Sequence, residues 1–236
     1  MRARPGPPGR KTRLPATHSP QCTDLQRLHT SPALITHDGR QSGVQVGLSP
    51  LGARALLGMP AGELANIDVD GTEVLGGTAG EWHERLRQAG SWAARFAILD
   101  ELLLARADPD QQVSRDVAEA WRLLVSSGGA IRVGALAERV GWSPRYLQRR
   151  LLAETGLTPK SAARVVRFDR ARRLLQRQAG AGQPPALAGL AAACGYYDQA
   201  HLAREFRELA SCPPSAWLAG EFRNVQAIPD PATEES

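Results

Sequence analysis

Arg145, Gln148 and Arg149 stand at i, i+3 and i+4, the spacing that sets side chains next to one another on one helical face. Their shared chemistry is hydrogen-bond donation to base edges. Arginine forks two N–H groups onto guanine O6 and N7, and glutamine pairs with N6 and N7 of adenine. Arg150 and Lys160 lie close by in sequence and suit phosphate oxygens better than bases, because a phosphate contact positions without reading sequence. Leu147 and Leu151, four apart, take the opposite side of the same helix. A helical hairpin with a solvated charged face has the same outline. Residues 131–157, taken alone, leave both possibilities open.

The elements that must hold these donors are marked locally. Val133, Leu136, Ala137 and Val140 form one apolar helical stripe, and Gly141-Trp142-Ser143 interrupts it. Ser143-Pro144 is an N-cap followed by the imino acid favoured at the first helical position. Thr155-Gly156 closes the second helix with the residue that most easily takes a left-handed cap. Helix, short turn with glycine, then an exposed basic helix describes a helix-turn-helix.

The pattern then repeats. Leu190, Ala191 and Gly195 echo Leu136, Ala137 and Gly141 at an offset of 54. Beyond the turn the offset is 55, so that Leu202, Arg204, Phe206 and Pro214 echo Leu147, Arg149, Leu151 and Pro159. The added residue falls in Tyr196-Tyr197-Asp198, where Asp198 can cap the following helix. Ser211 stands where the first copy has Gly156, which is expected to cost some order at that helix end.

These features together resemble the AraC/XylS family of bacterial transcription regulators, over roughly residues 115–222. The stretches that carry the resemblance are LAERVGWSPRYLQRRLLAETGLTP, RFDRARRLL and LAAACGYYDQAHLAREFRELASCPPSAWL. It implies a mainly α fold, a tandem helix-turn-helix DNA-binding domain joined by a linker helix and preceded by a small α+β remnant. It also implies that Gln199, Ala200 and Arg204 match base-contacting positions, with Ala200 offering only a methyl. His201 is open between a phosphate contact and a packing or capping role. Double-stranded DNA is the implied partner, while RNA polymerase, a homodimer and a small-molecule effector are left open.

Between the two copies, residues 159–178 are expected to form the linker helix, with Val165, Phe168, Ala171 and Leu175 knitting the halves together. A 20-residue helix is about 30 Å long, close to the roughly 34 Å between successive major-groove faces. An amphipathic helix over residues 112–126 (Val113, Val117, Ala120, Trp121, Leu124) completes the unit. Residues 112–225 are therefore expected to fold as a self-contained DNA-binding domain, large enough to need no disulfide or metal.

Charge divides the chain. Residues 131–225 hold fifteen Lys and Arg against seven Asp and Glu, whereas residues 30–130 hold eight against thirteen. A basic half beside an acidic one points to a polyanion-binding module attached to something else. Residues 1–29 are basic, Pro-rich and without periodicity, and are expected to be disordered, as are the acidic residues 226–236. Residues 30–108 resemble part of the N-terminal regulatory or dimerisation domain of actinobacterial AraC-type regulators. Strand-turn-strand is expected over 33–48, a short helix over 49–60, a loop or short helix over 61–75, and helices over 78–106 broken at Gly90-Ser91. Trp82, Leu86, Phe96, Leu99 and Leu103 are expected to face inward. Two strands cannot close a barrel, so this domain reads as truncated.

No catalytic residue, cofactor site or metal site is expected. His37-Asp38 reads as a turn without further ligands nearby, and Cys22, Cys194 and Cys212 form no CxxC pattern. An enzyme of the DNA-repair methyltransferase kind needs an activated cysteine, and Cys22 stands alone. Unpaired thiols and the lack of a membrane-length apolar run fit a cytoplasmic protein. The remaining alternative is a truncated interaction partner of related regulators that binds DNA weakly.

Overall fold

A computed structural model describes residues 24–25, 44, 46–65, 69–182 and 186–226. The strand β1 (Asp24–Leu25) pairs antiparallel with β2 (Val69–Asp70), Asp24 opposite Asp70 and Leu25 opposite Val69. The helices follow as α1 (Gly52–Leu57), α2 (Gly71–Leu75), α3 (Thr78–Gln88), α4 (Trp92–Arg106), α5 (Arg115–Ser126), α6 (Val133–Arg139), α7 (Pro144–Thr155), α8 (Pro159–Gly180), α9 (Leu187–Ala193), α10 (Gln199–Ala210) and α11 (Pro214–Gln226).

Three separate cores hold these elements. In the first, Val117, Ala120 and Leu124 of α5 meet Leu136 and Ala137 of α6, Leu147 and Leu151 of α7, and Ala162 of α8. In the second, Ala171 and Leu175 of α8 meet Leu190 and Ala191 of α9, Leu202 and Phe206 of α10, and Leu218 of α11. The helix α8 is common to both, and its 22 residues run unbroken from one core to the other. A smaller third core joins Ala53 and Leu57 of α1 to Leu75 and Ala79. The mainly α, tandem helix-turn-helix architecture is therefore present, with the linker helix between the two units.

The caps explain where the helices begin. Ser143 Oγ accepts from the Tyr146 N–H and Asp198 Oδ1 from the His201 N–H, each satisfying an end-of-helix donor. Thr158 Oγ1 does the same for Ser161 at the start of α8. Ser91 caps α4, so the expected break near Gly90-Ser91 is an N-cap. Gly156 ends α7 at φ 74°, and Ser211 ends α10 at φ 60°. The serine thus adopts the left-handed cap geometry at the steric cost that a glycine avoids.

Several expectations need correction. Val44 and residues 46–48 are not in a strand, and Val46 lies exposed; a two-valine alternation with no face to bury does not hold one. Residues 33–43 and Cys22 lie outside the described residues. The ladder uses instead Asp24–Leu25, which composition had put in the N-terminal tail, and the extended lead into α2. Phe96 faces out, 53% exposed, and Leu102 takes the buried position beside Leu99. Its ring packs on Trp92 at 6.1 Å, with the Arg95 guanidinium over the indole. Val113 precedes α5 and packs on the first core from outside the helix.

Leu151 and Phe206 are fully buried in different cores. Leu151→Ala should cost about 2–5 kcal/mol and Phe206→Ala about 3–5 kcal/mol of stability. Sites in separate cores should add within about 0.5 kcal/mol in the double variant, measured by urea unfolding.

Candidate nucleic-acid interface

With Leu147 and Leu151 committed to the first core, the outer face of α7 is left to Arg145, Gln148 and Arg149, all exposed. They line a shallow open concavity of about 490 Å³ together with Val133, Pro144 and Leu152. The Arg149 guanidinium lies 4.9 Å from the Tyr146 ring centre, and Tyr146 meets Trp142 edge-on at 5.0 Å. Stacking of this kind limits where the arginine can swing. Neither Arg145 nor Arg149 makes a salt bridge among the described residues, so both charges face outward uncompensated.

The helix α10 presents Gln199, Ala200 and Arg204 on its exposed side, with Leu202 and Phe206 buried beneath. His201 has partners within the protein. Its Nδ1 accepts from the Tyr197 N–H at 3.3 Å, and its ring stands edge-on to Tyr196 at 5.3 Å. Arg150 turns away from its neighbours, its guanidinium reaching Ser114 Oγ at 3.5 Å at the start of α5. Lys160 lies exposed in the first turn of α8.

Two features were missed in the sequence. Tyr197 is 93% exposed in the turn that leads into α10; the one-residue insertion there was its only signal. The second is a buried ion cluster. Glu205 of α10, 4% exposed, accepts from Arg164 Nε at 3.0 Å and Arg167 Nη2 at 3.2 Å, and Arg164 also bonds Glu208. Burial would raise the Glu205 carboxyl, but the hydrogen bonds from Arg167 and Arg164 and the Arg167 charge outweigh it and hold the group below its usual range. Burial, followed by the Glu205 charge, pushes the Tyr196 hydroxyl up. The linker helix therefore spends two of its arginines on fixing α10 in place.

Among the described residues no group of three or more His, Cys, Asp and Glu could hold a metal ion, and no helix is long and apolar enough to cross a membrane. Cys194 packs inside the second core and burial raises its thiol. Cys212 is half-buried.

Residues 136–220 match a family model described as a helix-turn-helix domain. Over 83 residues the chain is 34% identical to the HTH-type transcriptional activator RhaS of Pectobacterium carotovorum subsp. carotovorum (strain PC1). That match covers 35% of this chain and 28% of the relative, so the chain spans less than a third of its length. A solved structure of the C-terminal domain of AraT, a response regulator from Geobacillus stearothermophilus, is similar with a TM-score of 0.41 at 18% identity. It covers 52% of this chain and 94% of that one.

The Glu205 cluster carries a pH dependence. A carboxyl held below its unfolded value of about 4.3 stabilises the fold fully above that value, and the contribution is lost as pH falls through the depressed folded value. Thermal melts of the wild type between pH 7 and pH 3 should fall along this limb. Glu205→Gln should melt lower at neutral pH and show a flatter acid limb.

Proposed function

We propose that this chain, whose residues 136–220 form a helix-turn-helix domain of the AraC/XylS type, is a sequence-specific DNA-binding transcription regulator. In this reading α7 and α10 lie in adjacent major grooves on one side of the duplex. One observation carries it: two exposed donor faces stand on helices packed against one unbroken helix, α7 in the core that holds Ala162 and α10 through Arg164, Arg167 and Phe168. The 22 residues of α8 make a rod of roughly 33 Å at about 1.5 Å per residue, which fixes how the two units are turned relative to each other.

Roles follow from where the side chains lie. Arg145, Gln148, Arg149, Gln199 and Arg204 are assigned to base edges, with Ala200 offering a methyl to thymine. Lys160 is assigned to phosphate. Arg150 and His201 are tied to protein atoms, so their contacts with DNA are expected to be to the backbone. Such a protein would work in the bacterial cytoplasm on chromosomal DNA and alongside RNA polymerase. Homodimerisation or an effector would act through residues 30–108.

A second reading makes the chain an interaction partner of related regulators that binds DNA weakly. The exposed Trp92–Phe96 pair on α4 favours it, since paired exposed aromatics often mark contact surfaces. Gel-shift competition between genomic fragments and random duplex separates the two. The regulator should select fragments by at least about 10³ over random sequence, and the weak binder should not.

Affinity for duplex should fall steeply with salt, because each neutralised phosphate adds about −0.9 to the slope of log K against log salt. A flat response would contradict DNA binding. On a selected site, Arg149→Ala or Arg204→Ala should cost about 1–3 kcal/mol and relax base preference there, while Lys160→Ala should weaken all sequences alike.

A further inference from the structure

Glu154 occupies an unfavourable position. It lies in the last turn of α7, where a negative charge opposes the helix dipole, and that turn contains no basic residue. Its side chain is also 9% exposed, so water does little to relieve it. The counter-charge comes from a hundred residues earlier in the chain. Arg54 of α1 grips Glu154 with both arms of its guanidinium, Nε to Oε1 at 2.8 Å and Nη2 to Oε2 at 2.9 Å.

The backbone closes on the same helix end. The Gly62 N–H donates to the Glu154 carbonyl at 3.2 Å, satisfying one of the last four carbonyls that a helix leaves unpaired. A Cβ on Gly62 would stand 2.2 Å from the Ala153 carbonyl oxygen, so only glycine permits this approach. The helix α1 is itself anchored from the other side. Asp108 N–H donates to the Ala55 carbonyl at 2.9 Å, and Arg106 Nε to the Leu56 carbonyl at 2.7 Å. The expectation that residues 112–225 stand alone did not include this contact.

We propose that Arg54 is a positioning residue for α7: through Glu154 it fixes the helix end that sets the aim of Arg145, Gln148 and Arg149. The consequence for DNA rests on the reading of α7 as a base-reading helix. The clamp itself does not. Removing Arg54 leaves a buried carboxylate at the negative end of α7, so that end frays while α10, held by its own arginines on α8, does not. The acidic N-terminal region is thereby part of the machinery that presents one of the two donor faces.

Hydrogen exchange of the full-length protein, followed by mass spectrometry, tests the clamp without DNA. In Arg54→Ala, amides across residues 144–155 should exchange at least about tenfold faster, a factor worth ~1.4 kcal/mol, and those across 199–210 should not change. The double exchange Arg54→Glu with Glu154→Arg should restore protection, and Gly62→Ala should mimic the loss. No change in α7, or equal acceleration in α7 and α10 from general destabilisation, would overturn the proposal. Footprinting adds the second arm: Arg54→Ala should weaken protection in the groove assigned to α7 and spare the other. Loss of both grooves together would count against positioning. If the wild type protects no DNA while the exchange pattern appears, the clamp stands and the DNA-binding reading falls.

Discussion

The structure depends on the continuity of α8. One helix buries Ala162 among the residues of the first helix-turn-helix and Ala171 and Leu175 among those of the second. A helix cannot bend sharply without a proline, a paired glycine and serine, or an inserted bulge, and between Pro159 and Gly180 its sequence offers none of these. The separation of the two units is therefore a matter of residue count, and their relative rotation follows from which side chains α8 turns inward. A flexible connection would leave two independent weak binders. A rigid one holds both faces in one register before any ligand arrives, which lowers the ordering cost of binding.

That rigidity is reinforced by how charge is divided. Arg164 and Arg167 point toward α10 and are consumed by Glu205 and Glu208. Arg54 is consumed in the same way by Glu154. Buried pairs like these add little net stability over apolar packing, yet breaking one is costly, so they act mainly to fix geometry. Arg145, Arg149 and Arg204 have no such partner among the described residues. Some arginines hold the scaffold, and others are left free for a polyanion. Net charge cannot separate the two groups, because both contribute equally to it.

What was legible in the sequence was what short-range physics decides. Ser143 and Asp198 declared their helices as caps, the leucine spacing declared the buried faces, and the internal repeat declared two copies. The outer face of α7 followed by subtraction. What was not legible required distance. Arg54 and Glu154 are a hundred positions apart, and neither belongs to a periodic pattern that singles it out. Glu205 sits in AREFRELA among exposed charges, and only the fold brings Arg164 and Arg167 to it. Val44 and Val46 alternated as a strand would, but among the described residues neither is paired in the sheet, and Val46 is exposed. Phe96 had the spacing of a core residue, yet its ring lies exposed against Trp92, whereas Phe206 is enclosed by the second core.

In the proposed complex, two donor faces carried by one rigid helix enter the duplex one turn apart. Guanine methylation interference on a selected site measures this directly, since the modified N7 lies in the major groove where Arg145, Arg149 and Arg204 are assigned. Two clusters of interfering guanines should appear on one side of the duplex, centred about 10–10.5 base pairs apart. A single cluster, or binding indifferent to guanine methylation altogether, would contradict it.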